Sequence, residues 1–188
     1  MVVLNRIYTR TGDDGSTALG NGERRKKYDL RVAAYGTLDE VNALIGLVCL
    51  HAGAELHGIL ARIQNDLFDV EAELCLSEKG PGGARLTVTD AQVAALEQQI
   101  DRLNAELAPL RSFVLPGGSP AAAYLHLART VCRRAERLMV ELNDKAPEGV
   151  GNAALKYVNR LSDFFFVAAR HANDKGKGDV LWIPGQNR

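Results

Sequence analysis

Apolar residues recur three and four positions apart through most of this chain, and this period constrains its fold more than any other feature. The stretch "LHLARTVCRRAERLMVEL" shows the period, because its apolar positions are Leu125, Ala128, Cys132, Ala135, Met139 and Leu142. Residues at this spacing share one face of an α-helix, whereas a half-buried strand alternates at every second residue. The pattern therefore predicts helices that pack on one another through apolar stripes.

Capping residues indicate where the helices begin. Thr37 and Glu40 have the spacing of a capping box, which predicts that the first helix starts at Thr37. Thr89 and Gln92 have the same spacing at the start of the third helix. Ser119 is the expected N-cap of the fourth helix, because a proline follows it at the first helical position. The predicted helices span about residues 37–52, 55–76, 89–109, 120–143 and 152–174.

Five helices of this kind predict an all-α fold, a bundle of about five helices. A chain of 188 residues has the length of one well-buried domain. We therefore predict a single domain over residues 1–188, with an N-terminal loop at 1–36, the bundle at 37–176 and a tail at 177–188. Gly176 is the expected C′ glycine of the fifth helix. The tail is predicted to form one short extended segment, and no convincing paired strand is expected between the helices.

Composition narrows the class of protein. Lys and Arg together number 23, as do Asp and Glu, so the formal net charge is zero and a basic nucleic-acid binder is not expected. No apolar run approaches the roughly 20 residues of a membrane span, and no signal region is recognisable. Cys49, Cys75 and Cys132 lie in apolar periodic stretches without C-x-x-C spacing, which predicts reduced, buried thiols. These features favour a cytoplasmic protein.

The fourth helix carries a stripe of charge. Arg129, Arg133 and Glu136 fall on one helix face, at i, i+4 and i+7. Arg134 and Arg137 flank this face, and the stripe borders the apolar stripe of the same helix. Such a stripe is most often a solvated surface. The alternative is a triphosphate clamp, since the guanidinium fork binds phosphate oxygens in pairs and stays charged.

The fifth helix carries a shorter polar pair. Asn159 and Asp163 are one turn apart and face the same way, so they form either a satisfied helix contact or a site for an arginine, a ribose hydroxyl or a metal ion. The three phenylalanines that follow, 164–166, are expected in the core and at interfaces.

The segment at residues 9–27, "TRTGDDGSTALGNGERRKK", has turn chemistry and no Walker A motif. If it binds phosphate, the donors are backbone N–H groups, side-chain hydroxyls and one lysine. These donors are Gly12, Gly15, Thr9, Thr11, Ser16, Thr17 and Lys27. From composition alone, an ordinary surface loop is the other reading.

Four stretches together resemble the PduO-type corrinoid adenosyltransferases, which transfer the 5′-deoxyadenosyl group of ATP to cob(I)alamin and release triphosphate. They are "IYTRTGDDGST" at 7–17, "GERRKKYDLRVAAYGTLDEVNALIG" at 22–46, "FVLPGGSPAAAYLHLARTVCRRAERL" at 113–138 and "NRLSDFFFVAAR" at 159–170. They occur in the family's order and cover nearly the whole chain. The resemblance implies an all-α, five-helix bundle of the ferritin-like or cobalamin adenosyltransferase-like kind, which assembles as a homotrimer.

The resemblance also implies an ATP site at each subunit boundary. One subunit contributes a nucleotide-binding loop with Thr9, Arg10, Thr11, Gly12, Asp13, Gly15, Ser16, Thr17 and Lys27. The helices of its neighbour contribute Arg133, Arg134, Glu136, Arg137 and Asn159. Asp39 and Arg129 match an intersubunit salt bridge, and Mg²⁺ is expected on the phosphates of ATP. Arg129, Arg133, Asp39 and Phe113 are the implied catalytic residues.

For the corrinoid, the implied residues are Phe113, Asp163 and Phe166. Phe113 matches an aromatic wedge that crowds the lower face of the corrin and displaces the axial base of cob(II)alamin. A reductase that supplies cob(I)alamin and an adenosylcobalamin-dependent client enzyme are the implied partners, with no nucleic acid and no membrane. The alternative function is a trimeric module that binds ATP or adenosylcobalamin and delivers or senses the cofactor with little turnover.

Overall fold

The computed structural model describes residues 7–76, 86–146 and 149–188, which form five helices and one small hairpin. The elements in chain order are β1 Ser16–Ala18, β2 Arg24–Lys26, α1 Leu30–Cys49, α2 Ala54–Cys75, α3 Asp90–Asn104, α4 Pro120–Lys145 and α5 Asn152–Ala172. The predicted five-helix bundle is confirmed.

The first helix begins earlier than predicted. Asp29 is its N-cap, and the Asp29 carboxylate accepts a hydrogen bond of 2.8 Å from the backbone N–H of Arg31. Thr37 lies inside α1, where its hydroxyl donates to the carbonyl of Ala33 at 2.7 Å. The prediction that α1 starts at Thr37 is wrong, because Ala34 lies one turn before Leu38 on the buried face of the same helix. The boundary between loop and bundle therefore falls between residues 29 and 30, not at 36 and 37.

Two other helix starts are as predicted. Thr89 and Gln92 form the capping box of α3, in which the backbone N–H of Thr89 donates to Gln92 Oε1 at 2.9 Å. Ser119 caps α4 by accepting from the backbone N–H of Ala122 at 3.2 Å, and Pro120 is the first helical residue. Each cap satisfies an N–H group that the helix itself leaves without a partner.

Two helix ends fall short of their predicted positions. Helix α3 ends at Asn104 instead of continuing to Pro109. Helix α5 ends at Ala172, after which Gly176 adopts a φ of +82° and donates its N–H to the carbonyl of Arg170 at 2.8 Å. Gly176 is therefore not the predicted C′ residue: Asn173 is the C-cap, so the C′ position falls to Asp174, which has a φ of +52°, and Gly176 closes the turn that follows.

The core lies between the apolar stripes of the helices. Helix α4 packs against α1 and α5, while α2 packs on α1 and α3 packs on α5. All six residues of the predicted α4 stripe are buried: Leu125, Ala128, Cys132, Ala135, Met139 and Leu142. Polar contacts cross the core at few points, as where the hydroxyl of Tyr157 on α5 donates to Asp66 on α2 at 2.9 Å.

Helix α1 is long and apolar enough on average to cross a membrane, although Arg31, Asp39 and Glu40 interrupt its apolar sequence. In the structure its apolar stripe, which includes Leu38, Val41 and Ile45, is fully buried against the other helices. Helix α1 is therefore buried as a core helix of the bundle. Such a helix can have the same length and apolar composition as a membrane-spanning helix.

A two-stranded hairpin occupies the N-terminal segment, where only a loop was predicted. Strands β1 and β2 pair antiparallel, with Ser16 opposite Lys26 and Thr17 opposite Arg25. Leu19 in the connecting turn is buried, and the N–H of Gly20 donates to the carbonyl of Cys75 at 3.1 Å. The hairpin therefore rests on the C-terminal end of α2.

The tail forms the predicted extended segment and pairs with the stretch before α4. An antiparallel bridge joins Val114 to Leu181. The backbone N–H of Trp182 donates to the carbonyl of Phe113 at 2.8 Å, and that of Leu115 donates to Val180 at the same distance.

The cysteines are only partly as predicted. Cys49, Cys75 and Cys132 are all free thiols, but only Cys132 is fully buried.

Candidate functional site

An open groove of about 420 Å³ lies between α4 and α5. It is lined by Arg133, Glu136, Arg137, Val140 and Asn159, and all of these except Val140 are predicted ATP contacts. Helix α4 positions the first four, because residues at i, i+3, i+4 and i+7 share a face. The structure thus brings four predicted ATP contacts together.

Hydrogen bonds hold the polar residues of this groove in place. Asn159 Nδ2 donates to Glu136 Oε1 at 2.7 Å, which joins α5 to α4. Arg160 Nη1 donates to Asn159 Oδ1 at 2.5 Å, and its Nε donates to Glu97 on α3 at 2.9 Å. The amide of Asn159 is therefore oriented from both sides, while the guanidinium of Arg133 has no ion-pair partner among the described residues.

Arg129 lies one turn before the groove and is half-buried. Its Nε atom is buried without a hydrogen-bond partner in the described part of the chain. Burial, followed by repulsion from Arg133, lowers the pKa of Arg129. A guanidinium stays protonated under ordinary conditions, so the arrangement leaves a cation that lacks its counter-charge. An anionic group from outside the chain would supply that charge.

Arg134 points away from the groove. Its guanidinium pairs with the carboxylate of Glu40 on α1. The pair borders a second groove of about 560 Å³ between α1 and α4, which is lined mainly by apolar residues: Ala43, Leu44, Leu47, Leu127 and Val131. The structure therefore separates Arg134 from the other predicted ATP contacts within one chain.

Asp39 lies on the exposed side of α1, near a carboxylate that the sequence analysis did not single out. Burial, and then the charge of Asp39, raise the pKa of Glu71 on α2 to about 7. Glu71 Oε1 is buried and lacks a hydrogen-bond partner among the described residues. No ion pair joins Asp39 to Arg129 within the described chain, so each has an unmatched charge.

The N-terminal hairpin uses several of its predicted phosphate donors internally. The hydroxyl of Ser16 donates to Asp14 Oδ1 at 2.7 Å and accepts from Arg24 Nε at 3.0 Å. Arg24 also donates to the carbonyl of Thr11 at 2.5 Å. Ser16 is buried by these contacts, whereas Thr17 remains half-exposed in β1. The hydrogen bonds from Ser16 lower the pKa of Asp14.

The other predicted donors lie nearer the surface, and some of them bond to one another: the hydroxyls of Thr9 and Thr11 are 2.9 Å apart, and the N–H of Gly15 donates to the carbonyl of Gly12 at 3.2 Å. Gly15 has a φ of +78°, and the Nζ of Lys27 lies beside Gly12, 3.2 Å from where a Cβ would stand. The guanidinium of Arg10 lies over the ring of Tyr8, 5.6 Å from its centroid. Exposed side chains complete the set: Thr9, Thr11 and Asp13. The structure gathers these residues in one loop, apart from the groove between α4 and α5.

The predicted corrinoid residues come from two segments: Phe113 lies before α4, whereas Asp163 and Phe166 are about one turn apart on α5. Phe113 is 77% exposed, and its ring lies 5.9 Å from that of Trp182 in the tail. Phe166 is half-buried and packs edge-on against His126, with the ring centroids 6.3 Å apart. Asp163 is exposed on α5. Phe164 and Phe165, the other members of the run, are fully buried, as predicted for core residues.

Metal ligands are not concentrated anywhere in residues 7–76, 86–146 and 149–188: no group of three or more His, Cys, Asp or Glu side chains is arranged to hold an ion.

Three residues near the predicted site were not identified from the sequence. Arg24 stabilises the hairpin, Glu71 faces Asp39, and Trp182 packs on Phe113. Trp182 is the one tryptophan of the chain, which was a signal for a special role. Arg24 acts through residues 8 to 13 positions earlier and Glu71 through Asp39 on another helix, and helical or strand periodicity reveals neither contact.

The chain matches a family model and close relatives along nearly its whole length. Residues 7–172 match the model described as cobalamin adenosyltransferase. A corrinoid adenosyltransferase of Mycobacterium tuberculosis (strain ATCC 25618 / H37Rv) is 48% identical over 190 residues, covering 100% of this chain and 97% of that protein. A cobalamin adenosyltransferase of Cupriavidus metallidurans is 47% identical over 182 residues, with 95% of each covered.

A solved structure agrees with these relatives. It is a phenylalanine-to-histidine variant of the PduO-type ATP:corrinoid adenosyltransferase of Lactobacillus reuteri, complexed with cobalamin and ATP. The similarity has a TM-score of 0.88 at 34% identity and covers 95% of this chain and 97% of that one. The resemblance inferred from the four motifs is thereby confirmed. This chain belongs to the cobalamin adenosyltransferase family.

Proposed function

We propose that this protein transfers the 5′-deoxyadenosyl group of ATP to the cobalt of cob(I)alamin, forming adenosylcobalamin and releasing triphosphate. The observation that carries the proposal is the groove between α4 and α5, where Arg133 and Arg137 lie beside the oriented Asn159. Arg129, a half-buried cation without a partner in the described chain, lies one turn away. Family membership supports the same activity.

The arginines stabilise the charge of the leaving group. Cobalt(I) attacks C5′ with its electron pair, the Co–C bond forms, and the C5′–O bond breaks with both electrons going to the triphosphate. No proton needs to move, so the reaction requires no general base. The protein contributes positioning and cations where negative charge grows, and Arg129 and Arg133 are placed to do this.

Phe113 acts on the corrinoid and not on ATP. An axial ligand on cob(II)alamin makes its reduction to cob(I)alamin harder, and a bulky apolar side chain can remove that ligand by exclusion. Phe113 suits this role because its ring is exposed and packs at a tilt of 52° against the ring of Trp182. Phe166 and Asp163 are the further corrinoid contacts in this proposal.

The ATP site is completed in a homotrimer. The second groove exposes apolar side chains on α1 and α4, among them Leu47 at 40% and Leu127 at 47%. A neighbouring subunit that covers these residues brings Arg129 to the unmatched carboxylate of Asp39. The N-terminal segment of one subunit then closes over the groove of the next, with Thr9 to Thr17 and Lys27 around the phosphates.

Mg²⁺ and the partner proteins follow from this chemistry. Glu136, the carboxylate in the groove, already accepts a hydrogen bond from Asn159, so we place Mg²⁺ on the triphosphate, where it shares the charge with the arginines. A reductase supplies the cob(I) state and an adenosylcobalamin-dependent enzyme consumes the product. The free thiols fit a cytoplasmic location.

The test is anaerobic incubation of the protein with ATP, Mg²⁺ and chemically reduced cobalamin, with the visible spectrum followed for the Co–C product. We expect product at a rate far above that of a control without protein. If the protein binds ATP and cobalamin but forms no product, the alternative holds, and it is a module that delivers or senses the cofactor. Absence of both binding and product would overturn both functions.

A further inference from the structure

Phe113 is poorly supported by its own packing. Its side chain is 77% exposed, and it lies in the segment between α3 and α4, outside any helix. A wedge that must exclude a ligand from one face of a corrin has to be held at a fixed height. The core does not provide this support, so another part of the chain must.

The tail provides the support through backbone pairing. The carbonyl of Phe113 accepts the N–H of Trp182 at 2.8 Å, and the hydroxyl of Ser112 donates to the carbonyl of Trp182 at 2.6 Å. The N–H of Leu115 donates to Val180 at 2.8 Å. Phe113 therefore sits on a short antiparallel ladder, and its position depends on where the tail strand is fixed.

A buried ion pair fixes the tail strand. Arg170, in the last turn of α5, donates from Nε to Asp179 Oδ2 at 2.8 Å, and the two side chains are only 7% and 3% exposed. Asn173 Nδ2 donates to the other oxygen of Asp179 at 3.1 Å. Asp179 directly precedes the paired residue Val180, so the bundle fixes the strand at its first residue.

The same residues hold both ends of the segment that carries Phe113. Arg170 Nη2 donates to the carbonyl of Ala108 at 3.0 Å, just after α3. At the other end, Asn173 Oδ1 accepts the N–H of Ser119 at 3.2 Å, at the start of α4. Arg170, Asn173 and Asp179, which we name the tail clasp, thus connect the two ends of the segment to the strand on which it lies.

We infer that the tail clasp positions Phe113 for the displacement of the axial ligand from the corrinoid. None of the three clasp residues is placed at the reacting atoms, so they are positioning residues that act through the tail strand. The inference rests on the proposed function for its chemical consequence. Its structural half, that the clasp holds the tail against Phe113, is independent of that function.

The main test is Asp179→Asn, which keeps the shape of the side chain and removes its charge. The matched control is Asp174→Asn, the same change five residues earlier. The side chain of Asp174 is 75% exposed, and its ion pair with Lys177 is long, at 3.9 Å. Trp182 is the sole tryptophan, so its fluorescence reports on the tail directly. We expect acrylamide to quench Trp182 more strongly in Asp179→Asn and equally in Asp174→Asn and the wild type.

The second readout is the electron paramagnetic resonance signal of four-coordinate cob(II)alamin in the presence of ATP and Mg²⁺. We expect Asp179→Asn to lower this signal by about ten- to a hundredfold, as displaced positioning groups do, with the affinity for ATP unchanged. Unchanged quenching or an unchanged four-coordinate signal in a folded Asp179→Asn protein would overturn the inference. The Asp174→Asn protein should match the wild type in both.

A milder variant covers the case in which Asp179→Asn does not fold. Ser112→Ala removes the hydroxyl that donates to Trp182 at the surface and leaves the buried pair intact. It should weaken the four-coordinate signal in the same direction and to a smaller degree, and an unaltered signal would contradict the inference. If the wild type itself gives neither product nor four-coordinate cobalt, the proposed function fails, whereas a quenching difference still supports the clasp.

Discussion

The groove between α4 and α5 and the N-terminal hairpin contribute to the proposed site in opposite ways. In the groove, Arg133 has no ion-pair partner among the described residues, and the nearby Arg129 has a buried, unpartnered Nε. In the hairpin, Ser16 hydrogen-bonds to both Asp14 and Arg24, and Arg24 also forms an ion pair with Asp14. One region has cations available to a ligand, and the other has already used many of its polar groups.

This difference follows from how each region is held. The arginines stand on a helix whose opposite face is buried, so the charge is held in place before any ligand arrives. The hairpin has strands of three residues each. It contacts the bundle at Cys75, whose carbonyl accepts a hydrogen bond from the N–H of Gly20. We therefore expect the groove to provide fixed electrostatics and the hairpin to be the part that adjusts when ATP binds.

The substitution Arg129→Ala is the strongest test of this contrast between the groove and the hairpin. We expect product formation to fall by about a hundred- to a thousandfold, since a cation aimed at developing charge is removed. Arg129 lacks a partner within the described chain, so each subunit should still fold, and the melting temperature should fall only by the loss of the proposed contact with Asp39 of a neighbouring subunit. Steady-state kinetics and thermal unfolding measure the two quantities. Arg102→Ala, which removes an exposed arginine paired with Glu55, is the control and should retain activity. A loss of activity that merely tracks unfolding would contradict the assignment.

The helix faces were predictable because each depends on local spacing. Every position of the α4 stripe is buried, and Thr89 and Ser119 cap the helices expected. The start of α1 was missed because Asp29 and Thr37 are both good N-caps, and only the burial of Ala34 decides between them. The hairpin was missed because its strands, Ser16–Ala18 and Arg24–Lys26, lack apolar alternation.

The candidate site was predictable only where its residues share a helix or a motif. The positions of Arg133 and Glu136 in one groove follow from helical spacing. The pairing of Arg134 with Glu40 joins residues 94 apart, and local patterns do not record such contacts. For the same reason the support of Phe113 by the tail could not be foreseen, although the extended tail itself was.

A second prediction compares two arginines of the groove region. Arg133→Lys keeps the charge and removes the planar fork, so we expect the KM for ATP to rise about tenfold with a smaller change in kcat. This contrast with Arg129→Ala separates binding from stabilisation of the leaving group. Initial rates over a range of ATP concentrations give both constants. Equal losses in kcat for the two variants would remove the distinction between Arg129 and Arg133.

A third prediction concerns the unmatched carboxylates. In the folded chain Glu71 keeps its proton up to about pH 7, whereas its ordinary pKa is 4.5. The folded state binds more protons in that window, so this residue lowers the free energy of unfolding as the pH rises from about 4.5 to 7.

Glu71→Gln removes this effect. In an Arg129→Ala background, which lacks the cation proposed to meet Asp39, we expect it to raise the free energy of unfolding at pH 8 by about 1 kcal/mol, after allowance for partial exposure. At pH 4 it should change nothing, and denaturant titrations at both pH values measure the difference. When Arg129 is present, Glu71→Gln should raise the free energy of unfolding at pH 8 by a smaller amount. An equal gain at both pH values would show that folding does not raise the pKa of Glu71.

The smallest expected effect tests the hairpin. ATP should slow backbone hydrogen exchange in residues 9–27 and leave exchange in α4 nearly unchanged, because only the hairpin adjusts on binding. Ser16→Ala removes the hydroxyl that joins Asp14 to Arg24, and we expect it to raise the KM for ATP about threefold, the worth of one modest hydrogen bond. Thr130→Ala, which removes an exposed hydroxyl bonded within α4, is the control. If ATP protected α4 as strongly as the hairpin, the groove would not be preformed, and the contrast between the two regions would disappear.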